Sequence, residues 1–425
     1  MEVVFERCAG IDVHKRTAVV CLLTPGQRGR PVAQTRTFGT TTQELLALSD
    51  WLGAHGCTHV GIESTGEYWK PVHNLLEGSF EVWLLNARHV KAVPGRKTDV
   101  GDAQWLAELL RHGLVRPSFI PPRHQRDLRD LTRHRTSFVR ERATLVNRVQ
   151  KVLEGANIKL GAVATDVLGA SGRAMLQAIL AGEGDGAVLA ALAKGKLRKK
   201  RDQLERALTG RVRPHHRFLL AELLVQIDGL EESIARFDEQ IRQACAANDE
   251  EAIVDLLDTI PGVGRETAER VVAEIGTDMG RFPSAHHLAA WAGLAPGNNE
   301  SGGRQRPGRA RRGNTWLRTV LIQAAHAAAR TKGTYLAAQY RRLAARRGKK
   351  RAIVAVAHSL LVIAYHLIAR REPYRELGAD YFDRQRPAAT AQRLVQRLRK
   401  LGFAVTLEAP DQAIPADAAA PLFSG

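Results

Sequence analysis

Four carboxylates stand where they could gather divalent cations. Asp12 lies in AGIDVHK, Glu63 in HVGIEST, and Asp99 and Asp102 in KTDVGDAQWLAELL. The first two close short apolar runs that read as buried strands. The last two are three residues apart at the start of a helical pattern, so both project from one helix face. Acids brought together from two strand ends and one helix face form a cage of oxygen ligands, the donor set that Mg2+ takes. A pair of such ions about 3.5–4 Å apart clamps the attacking and leaving oxygens of a phosphoryl displacement. The bland alternative is solvated surface acids; four of them so placed in a very basic chain argue against it.

A second chemistry-bearing stretch is AAWAGLAPGNNESGGRQRPGRARRGNTWLRTVLIQAAHAAAR, residues 289–330. A helix ends near Gly293, a Gly-, Asn- and Arg-rich loop follows, and a helix starts near Asn314, a suitable N-cap. Ser301 is followed by Gly302 and Gly303, which permit the close backbone approach that in-line attack needs. Arg304, Arg306, Arg309, Arg311, Arg312 and Arg318 surround it with phosphate-seeking donors. On physics alone a serine in such a loop is more often a turn residue than a nucleophile. Neither His nor Asp is placed near it in sequence to form a triad, so activation has to come from elsewhere, and the carboxylate cage is the source at hand.

The elements that must position these groups follow from pattern. Strands are expected at CAGIDV, AVVCLL, VAQTRTF, HVGIES and FEVWLLN, with helices at TQELLALSDWLGAHG, YWKPVHNLLEG and the segment carrying Asp99 and Asp102, ending near Gly113. The order predicts a mixed α/β sheet layered with helices. Acids on the first strand, the fourth strand and a late helix resemble the arrangement of the RNase H-like nuclease fold. Residues 122–154 predict one long helix with an imperfect seam at Leu128, Leu131, Arg135, Phe138, Arg142, Leu145, Val149 and Val152. Its second stripe, Arg123, Arg126, Arg129 and Arg133, is either a solvated face or a phosphate-tracking one. A weakly specified, Gly/Ala/Lys-rich insertion runs from 155 to 214. Then Leu223, Ile227, Leu230, Ile234, Phe237 and Ile241 repeat at heptad spacing and must pack on a helix, that of 122–154 or one of a second subunit. In IVDLLDTIPGVGRETAERVVAEIG, Gly262 and Gly264 shape a helix-hairpin-helix-like turn whose backbone could approach phosphate; a plain helical corner is the alternative.

Composition narrows the partners. Lys and Arg number 63 against 44 Asp and Glu, a net charge of +19, and the pI is near 10.3. Such a field attracts polyanions, nucleic acid first. Cys8, Cys21, Cys57 and Cys245 show neither metal spacing nor a disulfide framework. Residues 352–369 are apolar enough to imitate a membrane span, but with two histidines and a serine they read better as a buried helix. No membrane partner is expected, and the expected location is cytoplasmic, bacterial and nucleoid-associated. His14 and Lys15, just after the first acid, could touch a scissile phosphate or be turn residues; Tyr68 and Trp69 could stack on a base or pack in the core.

The motifs GIDVHK, IESTGEYW, KTDVGDAQWLAELLRHGLV, IPGVGRETAERVVAEIG and GLAP…SGG…RRGNTWLR occur in that order. Together they resemble the IS110/IS1111 family of DEDD transposases, which includes the pilin-gene invertase, over roughly residues 7–372. The resemblance implies a RuvC-like α/β domain at 1–120, a coiled-coil and helical connection with its insertion at 121–249, and a mainly α transposase domain at 250–375. A partly disordered tail is expected at 376–425. It implies that Asp12, Glu63, Asp99 and Asp102 bind Mg2+, as two ions, and that Ser301 becomes covalently joined to DNA. It also implies a structured guide RNA encoded by the element and pairing with donor and target DNA. Lys15, Gly262, Gly264, Arg304, Arg306, Arg312 and Arg318 are the expected nucleic-acid contacts. The two halves of the chemistry lie far apart in sequence and must meet by folding or between subunits of a dimer or tetramer. Three other functions stay open: a site-specific invertase of the same family, a RuvC-type endonuclease with water as nucleophile, and a retired recombinase that only binds nucleic acid.

Overall fold

The computed structural model describes residues 2–27, 30–64, 66–86, 99–295, 300–301, 304–305 and 313–407, with backbone only at 99–100, 300–301 and 304–305. The chain divides into two compact units, residues 1–122 and 123–425.

The first unit is built on a six-stranded sheet in the order β3-β2-β1-β4-β5-β6. Its strands are β1 Cys8–Val13, β2 Thr17–Thr24, β3 Val32–Gly39, β4 His59–Glu63, β5 Glu81–Leu85 and β6 Pro117–Ser118. β2 runs antiparallel to β1 and to β3, β4 runs parallel to β1 and to β5, and β6 closes the edge antiparallel to β5. Its helices are α1 Thr42–Ala54, α2 Trp69–Leu76 and α3 Asp99–Arg111. Ala9, Ile11 and Val13 face one core, shared with Leu48 and Leu52 of α1 and Val72 and Leu76 of α2. Cys8, Cys21 and Leu23 face the other, against Ala103, Leu106 and Leu110 of α3. Covering both faces explains why CAGIDV is a continuous apolar run, buried at every position, instead of an alternating one. Gly10 sits where α3 crosses: a Cβ there would lie 2.2 Å from the Ala103 carbonyl oxygen. The four cysteines are free and buried. Burial pushes the thiols of Cys8, Cys57 and Cys245 up to about 12, so they are inert apolar fillers.

The second unit is helical. Its frame is an antiparallel pair, α4 Arg123–Gly155 and α5 Pro214–Ala247. The rings of Phe138 and Phe237 meet edge to face at 5.4 Å. The apolar stripe of α5 thus packs on α4 of the same chain. The two arginines that break the α4 seam are ties across it. Arg135, 8% exposed, donates to Asp238 and, at 2.6 Å, to Glu266, and Arg142 donates to Glu231 at 2.8 Å. At the far end of the pair the insertion forms helices Leu160–Val163, Ala170–Leu180, Gly186–Ala191 and Arg201–Leu208. Their apolar faces share a core with Leu145, Val149 and Leu153 of α4 and Leu220, Leu224 and Ile227 of α5.

At the near end Leu128 and Ile241 enter a larger core. It is made by α6 Glu251–Asp258, α7 Arg265–Ile275, α8 Ala285–Trp291, α9 Thr315–Ala328, α10 Tyr335–Arg347 and α11 Lys349–Arg370. By length and composition α11 could cross a membrane. Here Ile353, Val356, Leu360, Leu361, Ala364 and Ile368 pack it into this core, as the sequence reading expected of the run. Beyond it, α12 Pro387–Lys400 buries no residue, and residues 408–425 lie outside the described chain.

Candidate functional site

Parallel pairing of β1 with β4 brings the first two acids to one end of the sheet. Ile11 pairs with Ile62, and Asp12 and Glu63 are the next residues of the two strands. Asp12 is buried, 8% exposed, and Glu63 is half-buried. The half-buried Asp102 comes from the first turns of α3, next to Ala103, whose carbonyl lies against Gly10 two residues before Asp12. Asp99 opens the same helix, with its side chain outside the described residues. The topology therefore collects Asp12, Glu63 and Asp102 from two strand ends and the helix that crosses them. Among the described residues, no three His, Cys, Asp or Glu side chains converge closely enough to hold a metal. The donor set itself, carboxylate oxygens only, suits a hard divalent cation.

The β1–β2 turn follows directly. His14 N donates to the Thr17 carbonyl at 2.8 Å, and His14 Nε2 lies 3.1 Å from Asp12 Oδ2. Lys15 is exposed on this turn, its carbonyl accepting from Thr40 Oγ1 at 2.9 Å. Trp69 packs edge to face on His73 and against the core, whereas Tyr68 is exposed.

In the second unit Ser301 lies on a short hairpin: β7 Glu300–Ser301 pairs antiparallel with β8 Arg304–Gln305, Ser301 opposite Arg304. The side chains of both, and all of Arg306, Arg309, Arg311 and Arg312, are outside the described residues. The base of the loop is described. Asn314 N donates to the Trp291 carbonyl at 3.3 Å. A Cβ on Gly313 would lie 2.3 Å from Gly293 N, so the two ends of the loop touch through backbone. Asn314 caps α9 as expected, its Oδ1 accepting from Trp316 N and Leu317 N. Arg318, half-buried on the first turn of α9, has no ion pair among the described residues.

Sequence reasoning missed the group that holds this base. Glu274 of α7 is 3% exposed. It accepts from Arg133 Nε at 2.8 Å and Nη2 at 2.9 Å, and from Asn314 Nδ2 at 2.6 Å. Arg129 Nε donates to the Ala273 carbonyl at 2.9 Å, and its Nη2 donates to the Glu274 carbonyl. Burial pulls the Arg129 guanidinium down to about 10 against the attraction of Glu274. The available signal was an acid inside the apolar VVAEIG, which a helix face buries only with a cationic partner. Half of the Arg123–Arg133 stripe is thus internal: Arg129 and Arg133 are spent on α7, not on phosphate. Arg133 and Arg140 also lie over the Trp316 ring, at 5.6 and 4.9 Å from its centre.

The PGVG turn separates two roles. Gly262, at φ +88°, has the backbone of Ala328 within 2.4 Å of where a Cβ would stand, so close helix packing requires it. Gly264 caps α7 and faces open space. Arg265, the first residue of α7, is held by Glu251 at 2.7 Å and Glu269 at 3.0 Å.

Residues 9–158 match a family described as transposase, of the DEDD IS110 type, and residues 254–341 match one described as transposase IS116/IS110/IS902 family. The chain is 31% identical over 371 residues to a probable family 20 transposase of Pseudomonas aeruginosa, covering 86% of this chain and 94% of that one. It is 30% identical over 299 residues to the transposase for insertion sequence element IS1111A of Coxiella burnetii, covering 69% and 72%. It is 26% identical over 388 residues to the pilin gene-inverting protein of Moraxella lacunata, covering 86% and 96%.

Proposed function

Because the chain belongs to the IS110/IS1111 family of transposases, we propose that it cleaves and exchanges DNA strands through a covalent Ser301–DNA intermediate, assisted by Mg2+ and guided by a structured RNA. The observation that supports this reading is the placement of Asp12 and Glu63 at adjoining ends of β1 and β4, with the helix that carries Asp102 crossing β1 at Gly10. The strand order and the antiparallel β1–β2–β3 meander beside parallel β1, β4 and β5 support an RNase H-like, RuvC-type unit. The α6–PGVG–α7 segment fits a helix-hairpin-helix, and the α4–α5 pair fits the coiled-coil connection.

Asp12, Glu63 and Asp102, with Asp99, are the groups that hold the cations. Two Mg2+ ions held there would supply charge neutralisation at the phosphoryl oxygens and would favour the deprotonated form of the attacking hydroxyl. Ser301 Oγ bonds to the scissile phosphorus as the bond to the leaving deoxyribose oxygen breaks. The hydroxyl proton ends on that oxygen. The new phosphoserine diester keeps the energy of the bond it replaced, so a second strand's hydroxyl can reverse the step without ATP. Arg304, Arg306, Arg312 and Arg318 neutralise backbone phosphates, Lys15 serves beside Asp12, and the protein works as a dimer or tetramer in the bacterial cytoplasm, at the nucleoid. Sequence choice passes to RNA pairing, so the protein needs no base-reading helix of its own.

The test is covalent trapping. The protein is expressed with the DNA flanking its gene, incubated with labelled junction DNA and Mg2+, and quenched in denaturant. A protein–DNA adduct lost in both Ser301→Ala and Asp12→Ala is the expected result. Cutting without an adduct, sensitive to Asp12 but not to Ser301, would instead make the protein an endonuclease that uses water. The similarity to pilin gene-inverting proteins over 86% of the chain favours one further reading, inversion of a fixed segment. A plasmid carrying the junctions in inverted orientation separates the two: flipping without excision assigns inversion.

A further inference from the structure

From Ser301 to Arg371 the chain has 17 Lys and Arg residues and not one Asp or Glu. Part of this charge belongs to the Ser301 loop. Another part gathers at a corner that the proposed chemistry does not use, where α10 ends and α11 begins. Gly348, at φ +82°, is both the last cap of α10 and the first cap of α11. Arg346 and Arg347 precede it; Lys349, Lys350 and Arg351 follow it, and all five are exposed.

Two features set these cations apart. First, they lack partners: among the described residues none of the five has an ion pair or hydrogen bond through its side chain. Several other arginines of this unit behave otherwise: Arg133, Arg135 and Arg142 of α4 and Arg173 of the insertion are all bound to carboxylates. Second, their sign is wrong for their place. A helix start is its positive end and prefers acids, as Glu44, Glu251 and Glu266 satisfy in α1, α6 and α7. The first turn of α11 has no acid and carries Lys349, Lys350 and Arg351 instead. The fold gains nothing from this arrangement, and local conflict without a structural return marks a functional surface. An arriving anion reverses the sign of the effect, meeting the three cations, the free N–H groups of the first turn and Arg346 and Arg347 together. Exposed apolar side chains are not interleaved with the cations, as a lipid surface would need.

We propose that this α10–α11 corner is a second nucleic-acid site, in addition to the Ser301 loop, gripping the phosphodiester backbone of a duplex without reading its sequence. It does not depend on the serine chemistry, because it concerns binding alone.

The test is a salt titration of binding by the full chain, purified at high salt, to labelled DNA and RNA duplexes of equal length. The triple variant Lys349→Gln/Lys350→Gln/Arg351→Gln is compared with Arg236→Gln/Arg242→Gln/Arg384→Gln, which loses the same charge at cations already paired to acids. The expected result is a slope of log affinity against log salt reduced by about 2–3 in the corner variant, at ~0.9 per phosphate contact, with the control near wild type. Whichever duplex shows the change is the ligand, and a change with both assigns the shared backbone. Unchanged slopes with both duplexes, or an equal loss in the control, would overturn the proposal. So would a lowered melting temperature in the corner variant, since removing these charges should leave α11 as stable or more so.

Discussion

Asn314 and Glu274 are joined by a 2.6 Å hydrogen bond from amide nitrogen to buried carboxylate, while the Asn314 oxygen caps α9. One residue therefore fixes both the start of a helix and the end of the loop that carries Ser301. The carboxylate is itself held by both nitrogens of the Arg133 fork, so the loop base is tied through α7 to α4.

Removing Glu274 leaves Arg129 and Arg133 beside each other without their acid. Glu274→Ala is expected to cost about 3 kcal/mol, the low end for breaking a buried ion pair because Arg133 keeps some solvent. Denaturant midpoints of the purified protein check this. Glu274→Gln, which keeps an acceptor for Asn314, should cost clearly less; equal losses would show that the Asn314 bond carries nothing.

The two glycines of the PGVG turn should part ways. Gly262→Ala meets backbone at 2.4 Å and sits at φ +88°, which predicts a loss of about 3 kcal/mol from strain and overpacking together. Gly264→Ala enters open space at φ −101° and should change stability by less than about 1 kcal/mol. If Gly264→Ala nonetheless weakens DNA binding, the turn touches phosphate. If binding is unaltered, Gly264 serves only the turn.

Glu250 gives a pH signature. It is 2% exposed, with His124 Nε2 at 3.7 Å, and burial raises its carboxyl from 4.5 to about 7. Between those values the folded protein keeps a proton that the unfolded chain has lost, so its contribution to stability falls as pH rises. The unfolding free energy of the wild type minus that of Glu250→Gln should drop by on the order of 3 kcal/mol across this window and then level off. Half-buried His358 and His366, lowered chiefly by desolvation, act the opposite way at acid pH in both proteins. Parallel curves for the two proteins would refute the assignment.

Gly10 tests the carboxylate arrangement without touching a carboxylate. Alanine there would press on the α3 backbone at Ala103 and Ala107 and displace the helix that presents Asp102. Gly10→Ala is expected to suppress the protein–DNA adduct, to lower stability by about 2 kcal/mol, and to leave salt-dependent DNA binding in place. An adduct at the wild-type level would mean that the position of α3 does not matter to the chemistry.

Much of the first unit was legible because its signals are local. CAGIDV and HVGIES are apolar runs flanked by turn residues, and each ends on its acid within a residue of where the strand does. The two-residue β6 at Pro117–Ser118 gave no such signal, since pairing with β5 alone defines it. In the second unit the heptad stripe of α5 announced a partner but could not say whether it was α4 or another chain. The arginines of α4 were harder still: Arg123 and Arg133 look alike in sequence, and only the burial of Glu274 sends Arg133 inward. Helix α12 was not anticipated, because with no buried face it has no packing pattern to display.

The α4–α5 pair has a consequence for descent. At 1.5 Å per residue, the 33 residues of α4 span about 50 Å, with one core around Leu128 and another around Val149. The outer knob, built from 155 to 213, shares its core with the shaft, through Leu145, Val149 and Leu153 of α4 and Leu220, Leu224 and Ile227 of α5. Insertions, deletions or wholesale exchange of that knob need only respect the two helix ends that enter it. Relatives of this protein should therefore differ in length there first, while the inner end, crowded around Glu274 and Gly262, keeps its spacing.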